Sequence, residues 1–265
     1  MIRMPTRLMH RSIRRASGFT LIELAIAMAV ALFLIGGLLT ILQNVRSTQT
    51  NQTGLAQLQD NQRMAMTLIT NVVQSAGYFP DPTNYTATSA MPAIGTPAMA
   101  AAQPITGTYN AASPGDSMTA RYATLGGDRV INCIGETNQT SPATAKVYVN
   151  TFKVVLDGAG SGQLVCNLTG GDDSTGGADT PLIKGITNLV VLYGVKRNLA
   201  TDDNTVDTYL NASQMTAADW TNVSSAKITL TFNNPLYDSI NPKGQPQWIT
   251  FTRVIAVMSR AGVRT

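Results

Sequence analysis

The sequence contains very little histidine, cysteine and charge. Of its 265 residues, one is histidine, two are cysteine and 13% are charged. The only histidine, His10, precedes a long apolar run. The chain after that run therefore has no Ser-His-Asp triad, histidine base or histidine-ligated zinc site. Acidic residues remain, but most lie in polar segments where they face solvent. We expect a protein that is not an enzyme and that needs no cofactor and no metal.

Acidic residues are absent from the first 18 positions, and proline is absent from 6–79. Within this stretch, residues 19–42 form an apolar run of 24 residues. At about 1.5 Å per helical residue it can span a hydrocarbon core of about 30 Å. Five arginines precede it, which predicts a cytoplasmic N-terminus and an exported C-terminal part. A cleaved secretory signal is the alternative, but its apolar part is about 7–15 residues long and ends in small residues.

The basic character of the chain comes from this N-terminal segment. The formal charge is +4, from 19 basic and 15 acidic residues. Without the first 18 positions, 14 basic residues remain against 15 acidic ones, a formal charge of −1. Nucleic-acid binding is therefore not indicated.

The apolar run continues into an amphipathic segment, residues 43–77, without a turn signal. Apolar residues recur there at three- and four-residue steps, which predicts a helical stripe. They are Leu55, Leu58, Ala65, Leu68, Ile69, Val72, Val73 and Ala76. The sequence from Gly77 to Pro80 is expected to end the helix. One uninterrupted helix of this length is typical of a coiled coil, a membrane anchor or a packed filament.

The sequence of residues 78–265 predicts an exported β-rich domain. Segments rich in β-branched and aromatic residues predict strands, namely 118–125, 146–156, 163–166, 186–195, 227–232 and 248–258. Residues 81–117 are rich in Ala, Thr, Pro, Ser and Gly and are expected to form an extended surface connection. The predicted fold class is α+β, with one long N-terminal helix packed on an antiparallel sheet.

Two further features of this domain leave alternatives open. In an exported domain, Cys133 and Cys166 most simply form one disulfide, and two buried free thiols are the alternative. Oxygen-rich residues at 171–179 suit calcium, but the EF-hand spacing is absent.

The residues Gly18-Phe-Thr-Leu-Ile-Glu-Leu24, after a basic leader and before an apolar helix, resemble the signal of type IV pilin-like proteins. The resemblance implies that a prepilin peptidase cuts after Gly18 and methylates the new amino group of Phe19. It also implies that Glu23 pairs with the Phe19 amino group of a neighbouring subunit during assembly. The alternative is that Glu23 only reaches towards the lipid headgroups.

Looser motifs resemble the PilW-type minor pilins. They lie at 74–79, 121–122, 128–133, 164–166, 181–186, 191–194 and 252–257. The resemblance implies a minor pilin that helps to initiate and build the type IV pilus near its tip, in twitching motility and adhesion. Its expected partners are major and minor pilins through the N-terminal helix, the prepilin peptidase and the inner-membrane assembly platform.

The expected organisation is a leader at 1–18, a membrane or filament-core helix at 19–42, its amphipathic continuation at 43–77 and a domain at 78–265. The protein is expected to cross the inner membrane once, with its C-terminal domain in the periplasm, and then to enter the pilus. Two alternatives stay open. One is a J-type pseudopilin of type II secretion, and the other is a membrane-anchored exported enzyme or binding protein.

Overall fold

The chain is divided into two compact units, residues 1–52 and 53–265. The computed structural model describes residues 18, 20–139, 145–158, 160–171, 177–198, 205–240 and 244–260. The described part of the first unit is almost entirely helical. The second unit contains the end of this helix and an antiparallel β domain. The predicted α+β class is therefore confirmed.

The N-terminal helix, α1, spans Leu21–Ser75 and has 55 residues. Gly77 follows it with a φ of 79°, in the left-handed region that a residue with a Cβ rarely adopts. The Gly77 N–H donates to the carbonyl of Arg121 at 2.8 Å. The Ser259 hydroxyl donates to the carbonyl of Ala76 at 2.7 Å. The last helical turn is thus tied to both the sheet and the C-terminal segment.

One face of the second half of α1 is buried in the core of the second unit. The buried helix residues are Leu58, Ala65, Met66, Ile69, Val72 and Val73. With Ala76 they join the same apolar cluster as the strands. The predicted stripe is confirmed, although Leu55 and Leu68 are only partly buried. Burial of this face, rather than helix propensity, fixes the position of the helix in this unit.

The β domain contains two large antiparallel sheets and one small one. In chain order the described strands are β1 Ile94–Gly95, β2 Ala98–Met99, β3 Ile105–Thr108, β4 Ser117–Thr124, β5 Lys146–Leu156, β6 Gly162–Thr169, β7 Asp179–Lys184, β8 Ile186–Val195, β9 Thr208–Leu210, β10 Val223–Asn233 and β11 Trp248–Ala256. The five-stranded sheet has the order β3-β4-β5-β6-β7, the four-stranded sheet β11-β10-β8-β9, and β1 pairs with β2. Short helices are α2 Ala87–Ala90 and α3 Ala217–Thr221, and 3₁₀ turns lie at Ala212–Gln214 and Met258–Arg260.

The strand β10 contains the predicted strand 227–232 and alternates buried with solvent-facing side chains there. Ile228, Leu230 and Phe232 are at most 1% exposed, and the residues between them are partly exposed. The neighbouring strand β8 pairs with both β10 and β9. It is therefore an interior strand of the four-stranded sheet. Val190 is 36% exposed, so one face of the strand is incompletely covered.

The expectation that residues 81–117 form only a surface connection is wrong. This segment contains α2 and the strands β1, β2 and β3, and β3 pairs with β4 at the edge of the five-stranded sheet. Met91, Met99 and Ile105 are at most 3% exposed. The sequence of residues 81–117 did not predict these strands, because each strand is only two to four residues long and shows no clear periodicity.

The guanidinium of Arg121, in β4, holds residues 91–103 against the five-stranded sheet. It is completely buried and donates from Nε to the carbonyl of Gln103 at 2.8 Å and from Nη1 to that of Pro92 at 2.6 Å. Nη2 donates to the carbonyls of Met91 and Ala100. Burial lowers the pKa of Arg121. Backbone dipoles therefore solvate a buried charge here and fix the fold of the segment.

Candidate functional site: the start of the N-terminal helix

The helix α1 begins with a reciprocal pair of side chains, Thr20 and Glu23. The backbone N–H of Thr20 donates to Oε2 of Glu23 at 3.1 Å, and the Thr20 hydroxyl donates to the same oxygen at 3.0 Å. In return, the Glu23 N–H donates to the Thr20 hydroxyl at 3.3 Å. This geometry is a capping box, in which two backbone donors without helical partners are satisfied. Glu23 also places negative charge at the positive end of the helix dipole.

The helix that follows is apolar on all sides and exposed along its membrane-length segment. Every residue from 21 to 50 is exposed in the isolated chain, with Leu21 at 88% and Phe33 at 82%. By length and composition, α1 is one helix that could cross a membrane. Exposure of so large a continuous apolar surface to water is unfavourable, and a bilayer or other apolar helices are surroundings that would cover it.

Two adjacent glycines interrupt the large side chains of this segment. At Gly36 and Gly37 an added Cβ would meet no atom of the described chain within 4 Å outside the local helix backbone. The Thr40 hydroxyl donates to the carbonyl of Gly36 at 3.0 Å. Internal packing therefore does not require glycine at these positions. Small residues in membrane helices allow a second helix to approach closely.

Gly18 is exposed and lies before the first helical residue. No described atom lies within 4 Å of the place where a Cβ would stand, so the fold itself does not demand glycine there. The structure does not describe residues 1–17, which include His10, or Phe19. Of the two residues at the predicted cleavage site, it therefore describes only Gly18. The possible calcium segment also lies partly outside them, at 172–176.

Cys133 and Cys166 form a disulfide, with their Cα atoms 6.1 Å apart. The predicted pairing is confirmed. Cys166 lies in β6, and both cysteines are completely buried. The Cys133 N–H also donates to Oδ1 of Asn150 at 2.9 Å. The bond and this contact anchor the loop after β4 to the five-stranded sheet.

Among the described residues of the β domain, Arg197 and Asp219 form an ion pair with two hydrogen bonds. The guanidinium donates to both carboxylate oxygens, from Nε at 2.9 Å and from Nη2 at 2.8 Å. The Thr216 N–H and hydroxyl donate to the same carboxylate at 2.9 and 2.8 Å. The hydrogen bonds from Arg197 lower the pKa of Asp219 well below its usual range, burial opposes this, and Thr216 lowers it further. The ion pair between Arg197 and Asp219 thus holds α3 against the segment that follows β8.

The predicted site residues fall into separate units. Gly18 and Glu23 belong to the first unit, whereas the disulfide belongs to the second. Sequence reasoning overlooked Thr20, although threonine followed three residues later by glutamate is the ordinary capping-box pattern. Among the described residues, no group of three or more His, Cys, Asp or Glu side chains could hold a metal ion.

Comparison with protein-family models gives two matches on different parts of the chain. The model described as the prokaryotic N-terminal methylation motif matches residues 13–39. The model described as type IV pilus-assembly protein W matches residues 151–261, which include β6, β8, β10 and β11. No curated protein and no solved structure matched the chain. The two matches thus lie at opposite ends of the chain, one on its N-terminal segment and the other on the second half of the β domain.

Proposed function

We propose that this chain, which is a membrane-anchored, type IV pilin-like protein of the PilW type, helps to initiate the type IV pilus and lies near its tip. One observation supports this most strongly. A methylation motif lies on an exposed apolar helix in the same chain as a PilW-type β domain. A minor pilin needs both parts, because the helix enters the filament and the domain distinguishes the subunit from its neighbours. Twitching motility and adhesion are the processes it would serve.

The first step of this function is processing at Gly18. A prepilin peptidase cuts between Gly18 and Phe19 and methylates the amino group that this creates. The open space around Gly18 supports the proposal, because nothing within the described chain explains a glycine there. A small residue without a Cβ suits the close approach of a peptidase to the backbone. Cleavage also removes the basic leader.

The second step is pairing between subunits through Glu23. Both hydrogen bonds from Thr20 use Oε2, so Oε1 has room for a further donor. An ionised carboxylate accepts about four hydrogen bonds in total. The amino group of Phe19 on the next subunit would donate to it, where low dielectric strengthens the attraction. An unpaired carboxylate costs about 2.5–3.5 kcal/mol at the centre of a membrane helix. The cost is smaller near the helix end where Glu23 lies, and pairing would remove it and so favour assembly.

The membrane arrangement follows from the same helix. Residues 19–42 would cross the inner membrane, with the arginine-rich N-terminus in the cytoplasm and residues 78–265 in the periplasm. Residues 43–77 would continue the helix from the membrane into the domain. The assembly platform then moves the subunit into the filament, where major and minor pilins replace lipid around the helix. The open sides of Gly36 and Gly37 support such packing.

Gene deletion and complementation test this function in the host cell. We expect deletion to reduce surface pili and twitching, and the wild-type chain to restore both. Intact mass of the mature protein should show loss of residues 1–18, one added methyl group and one disulfide. Loss of protein secretion with normal pili would instead identify a J-type pseudopilin. Retention of residues 1–18 would exclude a pilin and support a membrane-anchored exported protein of another kind.

A further inference from the structure

The outer strand of the four-stranded sheet, β11, has a free edge. It pairs with β10 over nine consecutive residue pairs, from Ser225–Ala256 to Asn233–Trp248, without a bulge. On its other side no described residue forms a backbone ladder with it. A straight strand with one unpaired edge offers alternating N–H donors and carbonyl acceptors to another strand.

Two flanking hydrogen bonds show which residues of β11 direct their backbone groups outward. The Val257 N–H donates to the carbonyl of Ser224 at 2.9 Å, and the Asn234 N–H donates to that of Gln247 at 3.0 Å. In an antiparallel pair, hydrogen-bonded positions alternate along the strand. The odd-numbered residues of β11 therefore bond to β10. The even-numbered residues direct their N–H and C=O groups to the free edge, namely Trp248, Thr250, Thr252, Val254 and Ala256.

The other sheet edges in the described chain are short or blocked. β3 has four residues and β9 has three. β7 contains Pro181, which lacks an N–H, and Asp179 pairs with Lys153 at 2.9 Å. Proline, charge and short length are the usual protections against edge-to-edge pairing. β11 has nine residues and no proline. Among the described strand edges, it is therefore the one most suited to pairing with an added strand.

Side chains beside this edge are exposed and apolar. Trp248 is 52% exposed and Val254 is 54% exposed. Both project from the solvent-facing side of the sheet, together with the hydroxyls of Thr250 and Thr252. A strand added at the edge would place its own side chains beside them and remove apolar surface from water.

The charged residues of the strands β10 and β11 are all basic. The strands β10 and β11 contain Lys227 and Arg253 and no acidic residue, and residues 248–265 contain three arginines and no acidic residue. A second copy of β11 would add basic residues to a strand that is already basic, which disfavours self-pairing relative to pairing with an acidic strand. An acidic residue on the added strand would instead be attracted to Arg253, which lies in no ion pair between described residues.

We propose that β11 binds an extended segment of a different polypeptide, which joins the sheet as a fifth strand. Backbone hydrogen bonds to the even-numbered residues supply the attachment, and an acidic side chain near Arg253 supplies the preference for that partner. This binding depends on residues 223–257 of the second unit and does not rest on the proposed function of the N-terminal helix.

The test uses the full chain in detergent micelles and a labelled nine-residue peptide in which valine and threonine alternate around a central aspartate. A second peptide has lysine in place of aspartate. Fluorescence anisotropy gives the two dissociation constants. We expect the wild-type chain to bind the aspartate peptide about fivefold more tightly, as for a partly exposed ion pair. Arg253→Glu should reverse the order of the two peptides.

The backbone contribution is tested at Thr252. Its hydroxyl contacts that of Thr229 at 2.8 Å, so both Thr252→Pro and Thr252→Val lose this contact. Only Thr252→Pro also removes the outward N–H. We expect proline to weaken peptide binding about tenfold, because a peptide carbonyl loses its donor. Valine should leave binding within about twofold of wild type.

Four results would overturn the proposal. Two concern peptide binding by variants: equal binding by the proline and valine variants, and an unchanged order of the two peptides in Arg253→Glu. The other two are no binding of either peptide to the wild-type chain at millimolar concentration, and a concentration-dependent dimer that protects β11 from hydrogen exchange without peptide. The last would identify a second copy as the occupant. If Thr252→Pro lowers the unfolding temperature strongly, the charge reversal at Arg253 decides the question by itself.

Discussion

Thr20 and Glu23 hold each other at the start of α1, with two donors of Thr20 on one oxygen of the Glu23 carboxylate. The carboxylate is therefore already bonded in a single chain, before any other subunit is present. This relationship separates two roles for Glu23. One oxygen caps its own helix, and under the proposed function the other oxygen accepts from the amino group of a neighbour. Substitutions at the two positions can distinguish capping from assembly.

Replacing Glu23 should block assembly and leave membrane insertion intact. Glu23→Val removes the proposed partner of the Phe19 amino group and, at the same time, the cost of placing a carboxylate in lipid. We expect the variant to remain in the membrane fraction and to be reduced at least about tenfold in sheared pili, which corresponds to about 1.4 kcal/mol of lost pairing. Immunoblots of the two fractions measure this ratio. Normal incorporation into pili would refute the role of Glu23.

Thr20→Val is the matched control at the other end of the capping box. It removes the hydroxyl but keeps the Thr20 N–H and the Glu23 carboxylate. The helix start loses about 1 kcal/mol of capping stabilisation, while the intersubunit pair keeps both partners. We expect incorporation into pili to fall far less than in Glu23→Val. If the two variants were equally impaired, capping rather than pairing would explain the need for Glu23.

The disulfide should supply a large part of the stability of the β domain. The Cys133–Cys166 bond spans 33 residues, for which restriction of the unfolded chain gives about 4 kcal/mol. We expect Cys133→Ser with Cys166→Ser to lower the midpoint of thermal unfolding clearly in detergent micelles. Adding reductant should lower the midpoint of the wild-type chain and leave that of the double variant unchanged. A response of the double variant to reductant would show that the effect has another cause.

The sequence allowed prediction of those elements whose pattern is local and long. The apolar stripe of α1 and the alternation of Ile228, Leu230 and Phe232 both repeat often enough to be recognised. The strand β3 could not be predicted, because its four residues are ordered by pairing with β4, far along the chain. The strand β7 was missed for the same reason and because it contains Pro181. Long-range pairing overrides local preference in such short segments.

Among the functional and structural contacts, some were also predictable from the sequence and others were not. The disulfide between the two cysteines could be predicted from residue type and context, and the roles of Gly18 and Glu23 stay predictions made on the same basis. The contacts of Arg121 could not be predicted, because its partners are backbone carbonyls, which carry no sequence signal. The free edge of β11 also depends on sheet order, which one strand pattern does not reveal.

Arg121 should be hard to replace even by another cation. Arg121→Lys keeps the charge but loses the planar fork that reaches four carbonyls in the segment from Met91 to Gln103. We expect a loss of about 2–3 kcal/mol in unfolding free energy. Hydrogen exchange should become faster in residues 91–104, where the lost bonds lie. Exchange measured by mass spectrometry resolves this segment.

The control for Arg121 is Arg63→Lys on the surface of α1. Arg63 contacts Asp60 at 3.3 Å, and both side chains are more than 70% exposed. Such a pair contributes about 0–1 kcal/mol, so the thermal midpoint should hardly change. If Arg121→Lys behaved like Arg63→Lys, the buried guanidinium would not be what orders residues 91–104.

The ion pair between Arg197 and Asp219 should make stability depend on acid pH. The pKa of Asp219 is lowered in the folded chain, relative to about 3.9 for an unfolded aspartate. A carboxyl whose folded pKa is depressed stabilises the fold above its unfolded pKa, and this stabilisation is lost as the pH falls through its folded pKa. We therefore expect Asp219→Asn to lower the thermal midpoint between pH 5 and 7. The difference from wild type should shrink below about pH 4.

Asp60→Asn separates this effect from general acid unfolding. Its exposed pair with Arg63 contributes little at any pH, so its difference from wild type should stay small across the whole range. Acid destabilises all three chains through their other carboxyls, and the comparison at each pH removes that shared part. A difference for Asp219→Asn that stayed constant down to pH 2 would mean that packing around α3, and not the charge of Asp219, holds this helix to β8.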